Sequence, residues 1–246
     1  MTAGGATPAT IGERWRLVRA RVDAACERAG RAPSEVTIIA VSKTHSAAAV
    51  REAAAAGATD FGENYAQELV GKRAECGDAI RWHFIGRLQR NKAKLIAGQV
   101  ALVHAVDTVE LAAELGKRAA IGRPWGVPDG GQPVLLAINV AGEDTKGGIG
   151  AEQAAALARS IGSIPNVRLD GMMTMPPPSE DPEASRPYFE ALRGLRDRVA
   201  GELGIALPVL SMGMSGDFEV AVACGATHVR IGTAIFGVRA IIDESG

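Results

Sequence analysis

Eight short β-rich runs, each followed by a helical segment, limit the possible folds of this chain more than any other feature. The runs read VTIIAV (36–41), TDFG (59–62), RWHFIG (81–86), ALVHAV (101–106), PVLLAINV (133–140), VRLDGMMT (167–174), PVLSMG (208–213) and THVRIG (227–232). Between them lie Ala-, Leu- and Glu-rich segments such as AAAVREAAAAGA and AEQAAALARSIG, whose apolar residues recur at helical spacing. Strand alternating with helix means parallel βαβ units, since parallel neighbours need a long crossover. Eight strands fit a closed (β/α)8 barrel of the TIM type, for which about 250 residues is usual; the chain has 246. A doubly wound open sheet competes, but no G-x-G-x-x-G follows the first strand. Ahead of the barrel, TIGE (Thr10 to Glu13) is a capping box opening a helix that Gly30 can close. The expectation is one α/β domain over 1–246, with a disordered tail at 1–9, an N-terminal helix at 10–30 and the barrel at 36–240. The segment GRPWGVPDGGQP (122–133) precedes a strand, which assigns it to the face opposite the barrel mouth.

Charge and cysteine content narrow the partners. A formal net charge of -1 gives no reason to expect nucleic acid or an anionic membrane. Cys26, Cys76 and Cys224 are scattered and lack metal-ligand spacing, a pattern of reduced thiols in a cytoplasmic protein with no metal. The apolar run VLLAINVA is too short to span a bilayer, and MTAGGATPAT lacks the blocks of a signal peptide. Only six of the 27 basic residues are lysines: Lys43, Lys72, Lys92, Lys94, Lys117 and Lys146. Arginine supplies the ordinary surface charge, so each lysine is informative.

A barrel builds its site from strand C-termini and the loops after them. The first strand ends on Ser42 and Lys43, the second on Glu63 and Asn64. Barrel phosphate sites often use the loops after strands seven and eight. MSGD offers the Ser215 hydroxyl at a helix start, and IGTAIFG offers Gly232 for close approach and Thr233 as a donor. Each alone reads equally well as a turn with an N-cap; together, in the two expected loops, they favour an anion site. Arg230 lies two residues before Gly232 and so points into the barrel mouth, where a buried arginine calls for a ligand or a carboxylate. A reactive lysine, a phosphate cradle and an inward arginine describe a pocket for pyridoxal 5'-phosphate, with the lysine as Schiff-base partner of the aldehyde.

Long motifs add a resemblance. VSKT, DFGENYAQE, WHFIGRLQRNK, MMTMP, SMGMSGDFEVA and GATHVRIGTAIFG resemble the YggS/PROSC family of pyridoxal phosphate homeostasis proteins, from about the first strand to near the C-terminus. That family is similar to the barrel domain of bacterial alanine racemase, fold type III of the pyridoxal phosphate proteins. The resemblance implies that Lys43 is the Schiff-base lysine. It makes Ser215, Gly232 and Thr233 phosphate contacts, Arg230 the arginine facing the pyridine nitrogen, and Asn64 a pocket residue. His45 stands where many members carry lysine, and Arg87 where many carry histidine.

Other residues have plainer readings. Lys92 and Lys94 form a solvated helix start, although RNKAK also suits an anion, and Lys146 in its Gly-rich loop is a secondary candidate for a ligand contact. His83, between Trp82 and Phe84, reads as a satisfied core histidine. Tyr65 is a candidate acid that packs at a helix start, and Met172, Met173 and Met175 fill the barrel. Three functions use such a pocket: a cofactor-holding protein, an amino-acid racemase, and an aldolase-like enzyme forming a lysine imine on a sugar phosphate. Racemisation needs proton donors on both faces of Cα. The resemblance implies that racemases take the second from a further domain, and the barrel here uses the full length. Tyr65 and Tyr188 are the only tyrosines. The expectation is a monomeric, cytoplasmic protein of pyridoxal phosphate homeostasis that holds the cofactor without catalytic residues and with little turnover. Apo-enzymes that use the cofactor are its expected recipients.

Overall fold

Each of the eight runs becomes a strand, and the strands close on themselves in chain order. The structure is a computed structural model that describes residues 10–120, 131–143 and 147–237. Its strands are β1 (Thr37–Val41), β2 (Asp60–Glu63), β3 (Arg81–Phe84), β4 (Leu102–Val106), β5 (Gln132–Ala137), β6 (Val167–Met173), β7 (Val209–Ser211) and β8 (His228–Ile231). All neighbours pair in parallel, and β8 returns to β1 with Ile39 opposite Arg230. This is a (β/α)8 barrel. The register shifts once between β4 and β5 and once between β5 and β6.

The crossovers carry α2 (Ala47–Ala55), α3 (Ala66–Cys76), α4 (Ala93–Ile96), α5 (Val109–Ala119), α6 (Ala154–Gly162), α7 (Arg186–Leu203) and α8 (Phe218–Ala223); α9 (Thr233–Phe236) follows β8. Before the barrel, α1 (Ile11–Arg28) starts at the anticipated box: Thr10 Oγ1 accepts from Glu13 N at 3.1 Å while Thr10 N donates to Glu13 Oε2 at 2.8 Å. Two residues past its end Gly30 sits at φ +65°, the left-handed conformation that ends helices. Its inner face buries Trp15, Val18 and Val22 against α2, α8 and α9.

Strand alternation divides the apolar residues into two sets. Outward positions such as Ile38, Ala40, Phe61, Trp82 and Phe84 join helix residues in one continuous core, each large side chain contributing about 1.5–3 kcal/mol when fully buried. The lumen holds a much smaller apolar cluster: Leu102, Leu135, Ala137 and Met173. Barrel lumens are usually packed with Val, Ile and Leu. Here Asp60, His83, His104, Ser211 and Arg230, all buried, bond to one another inside the barrel. Of the methionines expected as filling, Met172 and Met173 are buried, but Met175 lies beyond β6 and is 47% exposed. The segment 122–133 and the tail at 1–9 fall largely or wholly outside the described residues, as does Lys146.

Candidate functional site

The turn after β1 sets the site. Ser42 N donates to Gly62 O at 3.1 Å, continuing the sheet one residue past the strand. Lys43 follows, half-buried, and then Thr44 takes φ +67°. A β-branched residue rarely occupies that left-handed region, so surrounding contacts must hold it there. They come from α3: Glu68 Oε1 accepts from Thr44 N at 2.5 Å and from Lys72 Nζ at 2.7 Å. Lys72 Nζ also donates to Ser42 O at 2.6 Å and Glu63 Oε1 at 2.7 Å, and Ser42 Oγ donates to the same Glu63 oxygen at 2.6 Å. Lys72 and Glu63 are both buried. Burial pushes the Glu63 carboxyl above its ordinary range, although bonds from Lys72 and Ser42 pull the other way. Ser42 and Glu63, noted at strand ends, therefore serve the turn and do not line the mouth.

Above the turn lies a cavity of about 410 Å³, lined by Val41, Lys43, Asn64, Ile85, Gly86, Arg87, Ala105, Asp107, Ala137, Gly147, Gly148, Met173, Met175, Met214, Ser215, Gly216, Arg230, Gly232 and Thr233. All six residues selected from the sequence (Lys43, Asn64, Ser215, Arg230, Gly232 and Thr233) lie on this one wall. Ser215 Oγ accepts from Ala234 N at 3.3 Å, tying the loop after β7 to the first turn of α9. A Cβ placed on Gly216 would meet nothing within 4 Å, so the backbone there faces open space. Gly86 is a packing requirement, since a Cβ there would stand 2.3 Å from the Asn64 carbonyl oxygen.

Arg230 points inward as expected; of the ligand or carboxylate its burial called for, no carboxylate bonds to it among the described residues. Its NH1 donates to Ser211 Oγ at 2.6 Å and its NH2 to Thr174 O at 2.9 Å. Burial lowers its pKa to about 10, with the charge of Asp217 opposing the shift, which leaves it cationic at neutral pH. His83 is the satisfied core histidine anticipated: Nε2 meets Asp60 Oδ1 at 2.9 Å and Nδ1 meets His104 Nε2 at 3.1 Å. Tyr65 does stand at the start of α3 but does not pack there; it is 57% exposed and lines a neighbouring groove. Lys94 is exposed, and Lys92, half-buried, lines that groove. His45 stacks on Phe236 with ring centroids 5.0 Å apart, and Arg87 is exposed on the cavity rim. All three cysteines are free, and burial raises each thiol pKa.

Sequence reasoning missed three features. Asp107, just past β4, lines both the cavity and the groove. Its place at a strand end was the available signal. Lys72 was marked only by the scarcity of lysine. The pairing of His104 with Ser211 across the lumen left no local signal.

The alanine racemase N-terminal domain family matches residues 17–240. Pyridoxal phosphate homeostasis proteins of Aquifex aeolicus and Pseudomonas aeruginosa are 46% and 47% identical, covering 92% and 94% of this chain and 97% and 96% of theirs. PipY of Synechococcus elongatus, solved with PLP bound, superposes with TM-score 0.79 at 32% identity, covering 93% of this chain and all of its own. Alanine racemase from Corynebacterium glutamicum shares the fold, with TM-score 0.64 at 18% identity over 92% of this chain and 61% of its own.

Proposed function

The chain belongs to the family of pyridoxal phosphate homeostasis proteins, within the alanine racemase N-terminal domain family, and on that premise we propose that it binds pyridoxal 5'-phosphate through Lys43 and holds it for delivery, with little turnover. The observation that carries this reading is the single cavity lined by Lys43, Ser215, Arg230, Gly232 and Thr233. Its residues fit the group. A volume of about 410 Å³ falls in the range of small-molecule sites, roughly 300–1,000 Å³. The open backbone face at Gly216, beside two hydroxyls, suits a phosphate, and a fixed guanidinium suits an unprotonated pyridine nitrogen.

The cofactor, when bound, supplies an aldehyde that condenses with an amine, releasing water, and a ring that withdraws electrons. The protein's own groups do the rest. The Lys72–Glu63–Glu68 cluster fixes the turn that presents Lys43. Ser215 and Thr233 would hold the phosphate, Asn64 would lie on the ring side, and Arg230 would discourage ring protonation and so weaken the electron sink. Catalysis at Cα needs a second acid or base opposite Lys43. Tyr65 is not part of the cavity wall, and His83 is engaged in the lumen. Asp107 is the carboxylate that favours the racemase alternative. The proposal extends to a single barrel domain over 1–246, monomeric and cytoplasmic, with apo-enzymes that use the cofactor as recipients. Among the described residues no helix is long and apolar enough to cross a membrane.

The experiment is to load the protein with pyridoxal 5'-phosphate and incubate it with L-alanine in heavy water. The outcome expected is slow deuterium entry with inversion lagging far behind. Inversion at roughly 1–10³ per second, abolished by Asp107→Asn, would establish the racemase instead.

A further inference from the structure

The lumen of this barrel contains a hydrogen-bond chain that runs from a carboxylate to the cavity arginine. Asp60 Oδ1 meets His83 Nε2 at 2.9 Å, His83 Nδ1 meets His104 Nε2 at 3.1 Å, His104 Nδ1 meets Ser211 Oγ at 2.8 Å, and Ser211 Oγ accepts from Arg230 NH1 at 2.6 Å. The links span β2, β3, β4, β7 and β8, and the His104–Ser211 bond crosses the lumen. The Asp60 end lies near a second cavity of about 380 Å³, lined among others by Arg81, His83 and His228.

Its two ends fix its direction. Arginine can only donate, and an ionised carboxylate can only accept. Burial pushes the Asp60 carboxyl up, but the hydrogen bonds from His83 and the Thr59 hydroxyl and the charge of Arg81 outweigh it, so Asp60 titrates below its ordinary value and is ionised at neutral pH. His104 is fully enclosed, and burial, with the charge of Arg230 adding to it, drives its pKa well down, so it has one N–H. Satisfying every group then requires His83 to donate from Nε2 to Asp60, His104 to donate from Nε2 to His83, and Ser211 to donate to His104. The Ser211 oxygen is left with lone pairs alone to offer Arg230. The reverse polarity would set a bare His83 nitrogen against the carboxylate and leave the Ser211 proton without an acceptor in a fully buried place. His228, the third lumen histidine, stands beside the chain: its Nδ1 is 3.0 Å from Thr227 Oγ1, and its ring is 6.1 Å from that of His83.

We propose that Asp60, His83, His104 and Ser211 are positioning residues, a one-way relay that commits the Ser211 oxygen to Arg230 and so locks the guanidinium in the cofactor cavity. The functional part rests on the proposed cofactor reading; the polarity does not. Polar groups replace apolar lumen packing here because the buried arginine needs fixed acceptors, and a hydrogen bond in the low-dielectric interior is stronger than one in water. The relay gives Arg230 one acceptor of set polarity, and the Thr174 carbonyl gives the other. With both in place the cation cannot swing towards the cofactor phosphate or out to solvent.

The test has two arms. In cofactor-free protein labelled with ¹⁵N-histidine, only four histidines contribute signals, each assignable by substitution. His83 and His104 should both carry the proton on Nε2 with Nδ1 bare, and Asp60→Asn, which ends the chain in a group that can also donate, should scramble both. A proton on Nδ1 of His104 in the unaltered protein would overturn the proposal. In the second arm, Ser211→Ala should raise the Kd for pyridoxal 5'-phosphate about tenfold or more, the effect of losing one bond to a charged group, and shift the absorbance maximum of the bound cofactor. Ser211→Thr, which keeps the hydroxyl, should restore both. Affinity and spectrum unchanged in Ser211→Ala would overturn the positioning role. If the unaltered protein binds no cofactor, the cofactor reading fails while the first arm still decides the relay.

Discussion

Replacing Lys72 by methionine isolates the cluster beneath the Lys43 turn. Methionine keeps most of the stem but removes the ammonium and its three bonds, to Ser42 O, Glu63 Oε1 and Glu68 Oε1. Glu63 is 0% exposed and would keep a charge with no cation, while Glu68, 20% exposed, can turn towards water. Removing one partner of a buried ion pair costs about 3–5 kcal/mol, and nearly all of that should fall on Glu63. The penalty must depend on pH. The folded pKa of Glu63 already lies above its unfolded value, so the group's stabilising contribution is complete below that unfolded value and is lost as pH rises through the folded pKa. Without Lys72 the folded pKa moves higher and the loss grows. Chemical denaturation of both proteins at acid and at slightly alkaline pH should show a gap that widens as pH rises, and adding Glu63→Gln should recover much of it. A gap below about 1 kcal/mol, the range of a surface ion pair, or one independent of pH, would refute the reasoning.

Two further outcomes follow from the same geometry. Thr233→Val should weaken pyridoxal 5'-phosphate binding by roughly 1–3 kcal/mol, the range for a hydrogen bond to a charged group, and should hardly affect unphosphorylated pyridoxal; equal losses in titration calorimetry would remove Thr233 from the phosphate. Gly86→Ala drives a Cβ to 2.3 Å from the Asn64 carbonyl and should cost about 1–3 kcal/mol by overpacking, with weaker cofactor binding as Asn64 shifts; an unchanged melting temperature would contradict that contact.

The barrel was legible because its signals are local. Short β-rich runs, helical spacing between them and the Thr10–Glu13 box each lie within a few residues, and closure follows from the count of strands. The mouth was legible for a related reason: parallel topology sends every strand end to one face, so Lys43, Asn64, Ser215 and Thr233 meet without any long-range knowledge. Contacts made only by closure were not legible. His104 sits between apolar neighbours and finds Ser211, 107 residues away, only once β4 faces β7 across the lumen. Lys72 reads as an ordinary i, i+4 partner of Glu68, and nothing local reveals that the end of β1 lies over it. Tyr65 misled because aromatic rings usually bury; at this helix start the cavity wall is Asn64, and the ring turns outward.

The central claim is that Lys43 holds the cofactor. The direct measurement is to add pyridoxal 5'-phosphate, reduce the mixture with borohydride and map the modified peptide. An amine held beside the aldehyde gains a large effective molarity, so the adduct should fall on Lys43 and vanish in Lys43→Ala. Predominant labelling of any other lysine, or of none, would contradict the account.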